Sequence, residues 1–123
     1  HPDLAGVTSG GQFAAVIEDW TLTGATRGPI SLTLKAAEPA QFEVDLHIQQ
    51  TGPIVLQGDR GVSAKGPDSA SYYYSIPRLR IGGRLRLNDR VVDVAGLGWL
   101  DREWSTSVLD ESLAGWDWFS LQL

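Results

Sequence analysis

The sequence predicts an all-β domain, built as an antiparallel barrel or a barrel-like sandwich with at most one short helix. Two observations lead to this prediction. Apolar and polar residues alternate with period two along much of the chain, as they do in half-buried antiparallel strands. Turn-forming residues interrupt the alternation, since the 123 residues include 14 glycines and 6 prolines. The pattern predicts roughly seven or eight short strands in one domain.

Composition limits the functions that the domain can have. With 42% hydrophobic and 20% charged residues, the chain can bury a core. The net charge of −5 argues against nucleic acid as a partner, because such partners are held by neutralising phosphates. Cysteine is absent, which excludes disulfides, thiolate catalysts and cysteine metal sites. No apolar run has the length of a membrane span, and we expect no cofactor.

The first half of the chain predicts four strands. FAAVIEDWTL (13–22) fits one strand that ends at TGATRG. ISLTLKA (30–36) and QFEVDLHIQ (41–49) alternate strictly and predict a pair of strands joined by the turn AEPA (37–40). PIVLQ (53–57) is a short fourth candidate.

The middle of the chain predicts a loop and a long hairpin. GDRGVSAKGPDSA (58–70) is rich in glycine and predicts a long loop. SYYYSIPRLRIGGRLRL (71–87) predicts a long strand with an apolar face and an arginine stripe, which we expect to be solvated. The alternation continues through Gly82–Gly83, so we expect a bend without a bulge. A turn at Asn88–Asp89 leads to a partner strand over 91–104.

The last residues are harder to assign. STSVLDESLAG (105–115) fits a short helix or a loop equally well. WDWFSLQL (116–123) predicts a final strand, which stops in mid-pattern at Leu123. We therefore expect the chain to be part of a longer protein, or its last strand to pair with another segment.

Alternation separates the charges near the C-terminus. If residues 96–104 are extended, Trp99, Asp101 and Glu103 share one face and Arg102 and Trp104 share the other.

In the predicted last strand, Asp117 lies on the apolar face with Phe119. A buried carboxylate needs a charged partner or a raised pKa. Arg78 and Arg102 are the candidate partners.

The cluster of acids and tryptophans has two interpretations. Asp101, Glu103 or Asp117 would serve as a proton donor if burial raised its pKa, and aromatic faces would stabilise a cation on an apolar substrate. Alternatively, the charges form an ion-pair network and the tryptophans are core residues. Spacing alone favours the second interpretation, because aromatic residues are mainly packing residues.

Other motifs carry weaker signals. Tyr73 must lie on the opposite face from Tyr72 and Tyr74, and either ligand contact or cross-strand packing explains the three tyrosines. His47 shares a face with Glu43 and Asp45, which more often indicates a solvated strand than a metal site, so we predict no metal. The G-x-S-x-G motif of serine hydrolases is absent.

Several segments resemble the signature blocks of the AttH/CrtC family. They are LQGDRGVSAKG, SYYYSIPRLRIGG, GLGWLDREWS and GWDWFSLQL, with IEDWTL upstream. That family includes predicted secreted or periplasmic hydrolases, carotenoid hydratases and a component associated with an ABC transport system. The resemblance implies two lipocalin-like β domains, of which residues 1–123 are the first.

The resemblance also implies a set of site residues. The acids are the candidate catalytic residues, namely Asp101, Glu103 and Asp117. The residues expected to contact the ligand are Lys65, Tyr73, Tyr74, Arg78, Trp99, Trp104, Trp116 and Trp118. Arg102 matches the same blocks without an assigned role.

Three functional hypotheses follow, and whether the domain is an enzyme stays open. The leading one is a lipocalin-like domain of a secreted or periplasmic bacterial protein that binds a hydrophobic or lipid-like small molecule. Its expected partners are the second lipocalin-like domain and an ABC transport system. The alternative is a hydratase-like lyase, isomerase or cyclase that protonates a polyene or terpenoid, rather than a triad hydrolase. The third hypothesis makes the DREW block an ion-pair staple between domains.

Overall fold

Nine antiparallel strands form the sheet in the computed structural model, which describes residues 5–66, 69–105, 115 and 117–122. Within those ranges no residue is helical. The predicted all-β class is confirmed, with nine strands in place of seven or eight. The strands are β1 (Ala5–Ser9), β2 (Gln12–Ile17), β3 (Trp20–Ala25), β4 (Ser31–Glu38), β5 (Phe42–Gln50), β6 (Val55–Leu56), β7 (Val62–Gly66), β8 (Ser69–Leu87) and β9 (Arg90–Ser105).

The first correction concerns residues 13–22, which form a hairpin instead of one strand. β2 ends at Ile17 and β3 begins at Trp20, and these two residues face each other in the register. Glu18 makes the turn possible by adopting a φ of 53°, a left-handed conformation that is unusual for glutamate. This turn is hard to predict from the sequence because the turn contains no glycine or proline.

β4, β5 and the C-terminal part of β8 form a regular antiparallel ladder. The β5–β8 register runs without interruption from Phe42↔Leu87 to Gln50↔Leu79. It passes through Gly82 and Gly83, so the prediction that these glycines leave the register intact is confirmed. Glycine is needed at position 83, since a Cβ there would lie 2.1 Å from the Asp45 backbone oxygen.

The second correction concerns residues 58–70, which contain a strand. β7 pairs with the N-terminal part of β8, and the register shifts between Ala64 and Gly66. β6 pairs with the next stretch of β8, with Val55 opposite Ser75 and Leu56 opposite Tyr74. The glycines that suggested a loop instead mark the tight connection before β7, where Gly58 and Gly61 have positive φ.

The long hairpin follows the prediction. β8 ends at Leu87, β9 begins at Arg90, and Asn88 adopts a φ of 53° in the two-residue turn. The third correction follows β9. Residues 117–122 are not in a strand, although the alternation predicted one. Of the helical candidate 105–115, Ser105 ends β9 and residues 106–114 lie outside the described residues.

The chain divides into two compact units. Unit 1 comprises residues 1–51 and 79–97, and unit 2 comprises residues 52–78 and 98–123. Among the described residues, the buried hydrophobic side chains are those of Ala36, Ile76 and Leu79. The part of the chain that the structure describes contains no helix with the length and hydrophobicity of a membrane span. The division of a longer parent protein into two lipocalin-like domains stays a prediction.

Candidate functional site

One face of the β8–β9 pair in unit 2 carries two of the three acids singled out by the sequence, Asp101 and Glu103. Alternation along each strand turns every second side chain to this face. Ser71 and Ser75 project from β8, and their hydroxyl groups donate hydrogen bonds to Glu103 and Asp101 of β9. We call this surface the carboxylate face. Its residues are Lys65, Ser71, Tyr73, Ser75, Trp99, Asp101 and Glu103.

Asp101 lies at the centre of a chain of hydrogen bonds. Its Oδ1 accepts from the hydroxyl of Ser75, which is 1% exposed. Gln57 Nε2 donates in turn to Ser75 Oγ over 2.9 Å. On the other side, the indole Nε1 of Trp118 donates to Asp101 Oδ2 over 2.8 Å. Both carboxylate oxygens therefore accept hydrogen bonds from neutral donors.

The same donors set the ionisation of Asp101. Partial burial raises its pKa, but the hydroxyl and indole groups around it together lower it more. These groups belong to Ser75, Trp99, Trp118 and Tyr73, and the net pKa lies below the usual value of 3.8.

Trp99 differs from the other donors. Its indole N–H is near enough to Asp101 to lower the pKa of the acid. Its Nε1 is nevertheless buried, and it makes no hydrogen bond of normal length and angle within the described residues.

Glu103 is held by a cation as well as a hydroxyl. Lys65 Nζ lies 2.5 Å from Glu103 Oε1, and Ser71 Oγ donates to the same oxygen over 2.5 Å. The hydrogen bonds from Lys65 and Ser71 lower the pKa of Glu103, and this effect outweighs partial burial and the nearby charge of Asp101. Lys65 also lies 5.6 Å above the ring of Tyr73, a cation–π distance.

Both acids are therefore carboxylates at neutral pH. A carboxylate accepts hydrogen bonds and carries negative charge, whereas a proton donor near pH 7 needs a raised pKa. The lowered pKa values of Asp101 and Glu103 favour a role as hydrogen-bond acceptors. Their catalytic roles remain predictions.

The opposite face of the same strands carries exposed aromatic rings, and we call it the aromatic face. Tyr72 and Trp104 stack at 5.9 Å between ring centroids, and Tyr74 meets Trp104 edge-on at 6.1 Å. The register adds Leu56 and Val62 to this face. Tyr72 is 61% exposed and Trp104 is 51% exposed. The predicted separation of Tyr73 from its two neighbours, and of Asp101 and Glu103 from Trp104, is what the structure shows.

Known proteins resemble this chain in sequence and in fold. The model of the AttH-like family matches residues 1–123. The chain belongs to the AttH-like family. A crystal structure of a protein proposed to be AttH from Nitrosomonas europaea is similar, with 34% sequence identity and a TM-score of 0.70. The match covers 80% of this chain but 30% of that one, and no curated protein matches.

Family membership confirms the resemblance to AttH predicted from the sequence blocks. The site of this AttH-like chain is divided between the two faces. Lys65, Tyr73 and Trp99 lie on the carboxylate face with the two acids, whereas Tyr74 and Trp104 lie on the aromatic face. The predicted ligand-contacting residues therefore do not form one continuous surface.

Three other predicted site residues lie elsewhere. Arg78 is exposed, and its backbone oxygen accepts a hydrogen bond from the N–H of Gly52. Asp117 is exposed, so its expected position on a buried apolar face is wrong. The expectation assumed a paired strand, and residues 117–122 have no ladder to define two faces. Trp116 lies outside the described residues.

The sequence did not point to the polar residues that hold the acids. Ser71, Ser75 and Gln57 are ordinary polar residues of a strand pattern, and nothing local marks them as partners of a carboxylate. Alternation along β8 was the available signal, because it places Ser71 and Ser75 on the same face as Tyr73. Gln122 was also missed, although its Nε2 donates to the backbone oxygens of Pro77 and Gly98 over 2.6 and 3.1 Å.

Unit 1 of the AttH-like chain carries a second charged region. Residues from β5, β8 and β9 line an open groove of about 540 Å³. Its charges pair with one another or with nearby residues, as in Arg84–Asp93 at 3.2 Å and Arg86–Glu43 at 3.3 Å. His47 lies here and faces the Thr33 hydroxyl. Across the described ranges, no three acidic, histidine or cysteine side chains are grouped as metal ligands.

Proposed function

We propose that this AttH-like domain binds a hydrophobic or lipid-like small molecule against the carboxylate face of unit 2. One observation carries the proposal: the side chains of Tyr73, Trp99 and Trp118 surround the carboxylate of Asp101. Aromatic walls with a few fixed polar groups are typical of small-molecule sites. An ion-pair staple would instead match each acid with a cation.

The segment after Gly115 provides apolar surface beside this site. Trp118 is 56% exposed although its N–H is bound to Asp101. Phe119 and Leu121 are 76% and 70% exposed. Exposed apolar side chains that follow one another in this way favour contact with an apolar molecule.

The charges favour binding over acid catalysis. The alternative function, a hydratase-like lyase, isomerase or cyclase, requires a carboxylic acid that is protonated at neutral pH. The lowered pKa values of Asp101 and Glu103 support carboxylates that orient a ligand. We therefore propose binding as the function and keep proton transfer by these acids as the alternative.

We propose further, from family membership, that the domain acts beside a second lipocalin-like domain in a secreted or periplasmic protein. An ABC transport system is the proposed partner. The support is membership of the AttH-like family, together with a solved relative of which this chain covers only 30%.

The test is a fluorescence titration of the full-length protein with N-phenyl-1-naphthylamine, a neutral hydrophobic probe. We expect saturable binding, which Trp118→Ala weakens by about tenfold because it removes an aromatic wall. The matched control is Trp20→Ala in unit 1, since Trp20 is also an exposed tryptophan whose indole N–H has one partner, the Ala37 backbone oxygen.

The control distinguishes binding at one site from non-specific hydrophobic binding. If Trp20→Ala weakens binding of the probe as much as Trp118→Ala does, binding is not localised at the carboxylate face. If the wild-type protein shows no saturable binding, the proposed function is wrong.

A further inference from the structure

We infer that the carboxylate face recognises a hydroxyl group of its ligand, with Asp101 as acceptor and Trp99 as donor, and that this group displaces the indole N–H of Trp118. The inference rests on the proposed function and specifies the class of ligand. The class is a neutral amphiphile, an alcohol with an apolar body, and not a fatty acid.

Trp99 carries an indole N–H without a well-formed hydrogen bond. Its Nε1 is buried and lies near enough to Asp101 to lower the pKa of that acid, but it makes no hydrogen bond of normal length and angle within the described residues. Buried polar groups are nearly always paired, and an unpaired donor is costly. An acceptor atom brought by a ligand would satisfy this N–H.

Trp118 now holds Asp101 through a group that can only donate. Trp118 supplies a donor to Asp101 Oδ2 from a side chain that is more than half exposed. An indole N–H donates but cannot accept. A hydroxyl both donates and accepts, so it would replace Trp118 at Asp101 and also accept from Trp99. Movement of the Trp118 ring would open the space that this group needs.

The charges of Glu103 and Asp101 are balanced differently. Lys65 balances Glu103, while the hydrogen bonds to Asp101 from described residues come from neutral groups. Among the described residues, Asp101 therefore has no cationic partner. A ligand carboxylate placed next to Asp101 would be repelled, whereas an alcohol would not.

The experiment measures competition with bound N-phenyl-1-naphthylamine at neutral pH. Decan-1-ol and decanoate have the same chain length and differ in the head group. We expect decan-1-ol to displace the probe at a concentration about tenfold lower than decanoate, because only decanoate carries a charge of the same sign as Asp101. Equal potency, or a preference for decanoate, would overturn the inference.

Variants identify the two recognition groups. Trp99→Phe keeps an aromatic ring and removes the N–H, so the affinity for decan-1-ol should fall about fivefold, the equivalent of one hydrogen bond. Asp101→Asn removes the charge and should raise the affinity for decanoate. Glu43→Gln in unit 1 is the control, and its alcohol preference should equal that of the wild type.

Trp118→Phe tests the displacement directly. It keeps a ring and removes the competing donor, so the affinity for decan-1-ol should rise about fivefold. An unchanged or lower affinity contradicts displacement.

The readouts distinguish the two proposals. Loss of probe binding by the wild-type protein defeats the proposed function, whereas intact probe binding without an alcohol preference defeats this inference alone.

Discussion

The strands β8 and β9 carry two charged clusters that differ in their surroundings. In unit 1, Arg84 pairs with Asp93, and these side chains are 67% and 84% exposed. In unit 2, Lys65 and Glu103 are 30% and 37% exposed, and a buried serine donates to the same acid. Asp101 beside them is partly buried and accepts hydrogen bonds from Ser75 and from the indole of Trp118.

The comparison shows that residue type alone does not distinguish a site from a solvated surface. Exposed ion pairs gain little because water screens them and their side chains lose freedom. Several donors that converge on one partly buried carboxylate fix its orientation and its charge. Convergence of donors therefore identifies the carboxylate face as the candidate site. Arg84 of the arginine stripe is solvated, as its spacing predicted, whereas Arg86 of the same stripe is only 29% exposed.

The largest expected difference between the clusters is the response to losing an acid. Asp101→Ala should lower the free energy of unfolding by about 1–3 kcal/mol, because the buried hydroxyl of Ser75 loses its acceptor. Asp93→Ala, an exposed acid on the same strand, should change it by less than about 0.5 kcal/mol. Urea unfolding measures both, and equal losses would mean that the two clusters do not differ as described.

A smaller difference is expected for the cations. Lys65→Met should cost about 1 kcal/mol, since Glu103 keeps its bond from Ser71 but loses its partly shielded ion pair. The matched variant is Lys35→Met, which removes an exposed cation paired with Asp45 at 3.4 Å. We expect Lys35→Met to have almost no effect on the urea midpoint. A larger shift of the urea midpoint for Lys35→Met than for Lys65→Met would mean that the Lys65–Glu103 pair is not the more stabilising of the two.

Low pH should reduce the folding stability of the protein by protonating the acids of the carboxylate face. The folded-state pKa values of Asp101 and Glu103 lie below their usual values of 3.8 and 4.5. As pH falls, the unfolded chain therefore binds these protons first, which favours unfolding. Their contribution is complete above the usual values and is lost as pH falls through the lower, folded ones.

Urea midpoints measured from neutral pH down to pH 3 give this profile. The double variant Asp101→Asn, Glu103→Gln should show a shallower acid decline than the wild type. Identical slopes would mean that other groups cause the decline. We expect the effect to be smaller than that of Asp101→Ala, because a protonated carboxyl still occupies its volume and forms hydrogen bonds.

The smallest effect is expected in the arginine stripe. Arg84→Ala should change the free energy of unfolding by less than about 0.5 kcal/mol, because its pair with Asp93 is exposed. It should also leave probe binding unchanged. Thermal unfolding and the fluorescence titration together check this, and a clear loss in either would give the stripe a role that the structure does not indicate.

Much of the fold was predictable because strand alternation is a strong local signal. It correctly separated Asp101 from Trp104 and Tyr73 from Tyr72. The turn at Asn88–Asp89 was predictable from its turn-forming residues. The hairpin at Glu18 was not predictable, since its turn depends on a left-handed glutamate.

The partners within the site depend on register, which a single strand does not reveal. That Ser75 meets Asp101 follows from how β8 pairs with β9, and that Trp118 reaches Asp101 follows from the path of a segment without strand structure. Asp117 lies where alternation misleads. Alternation assigned it to a buried face, but without a paired strand the alternation has no structural meaning.

The indole N–H signals of tryptophan in an NMR spectrum of the full-length protein report directly on which face the probe contacts. Substitution of each of the five tryptophans of this chain to phenylalanine assigns its signal. During titration with N-phenyl-1-naphthylamine, we expect the signals of Trp99 and Trp118 to move, while those of Trp20 and Trp104 stay in place. Movement of the Trp104 signal without that of Trp99 would mean that the probe binds the aromatic face and not the carboxylate face.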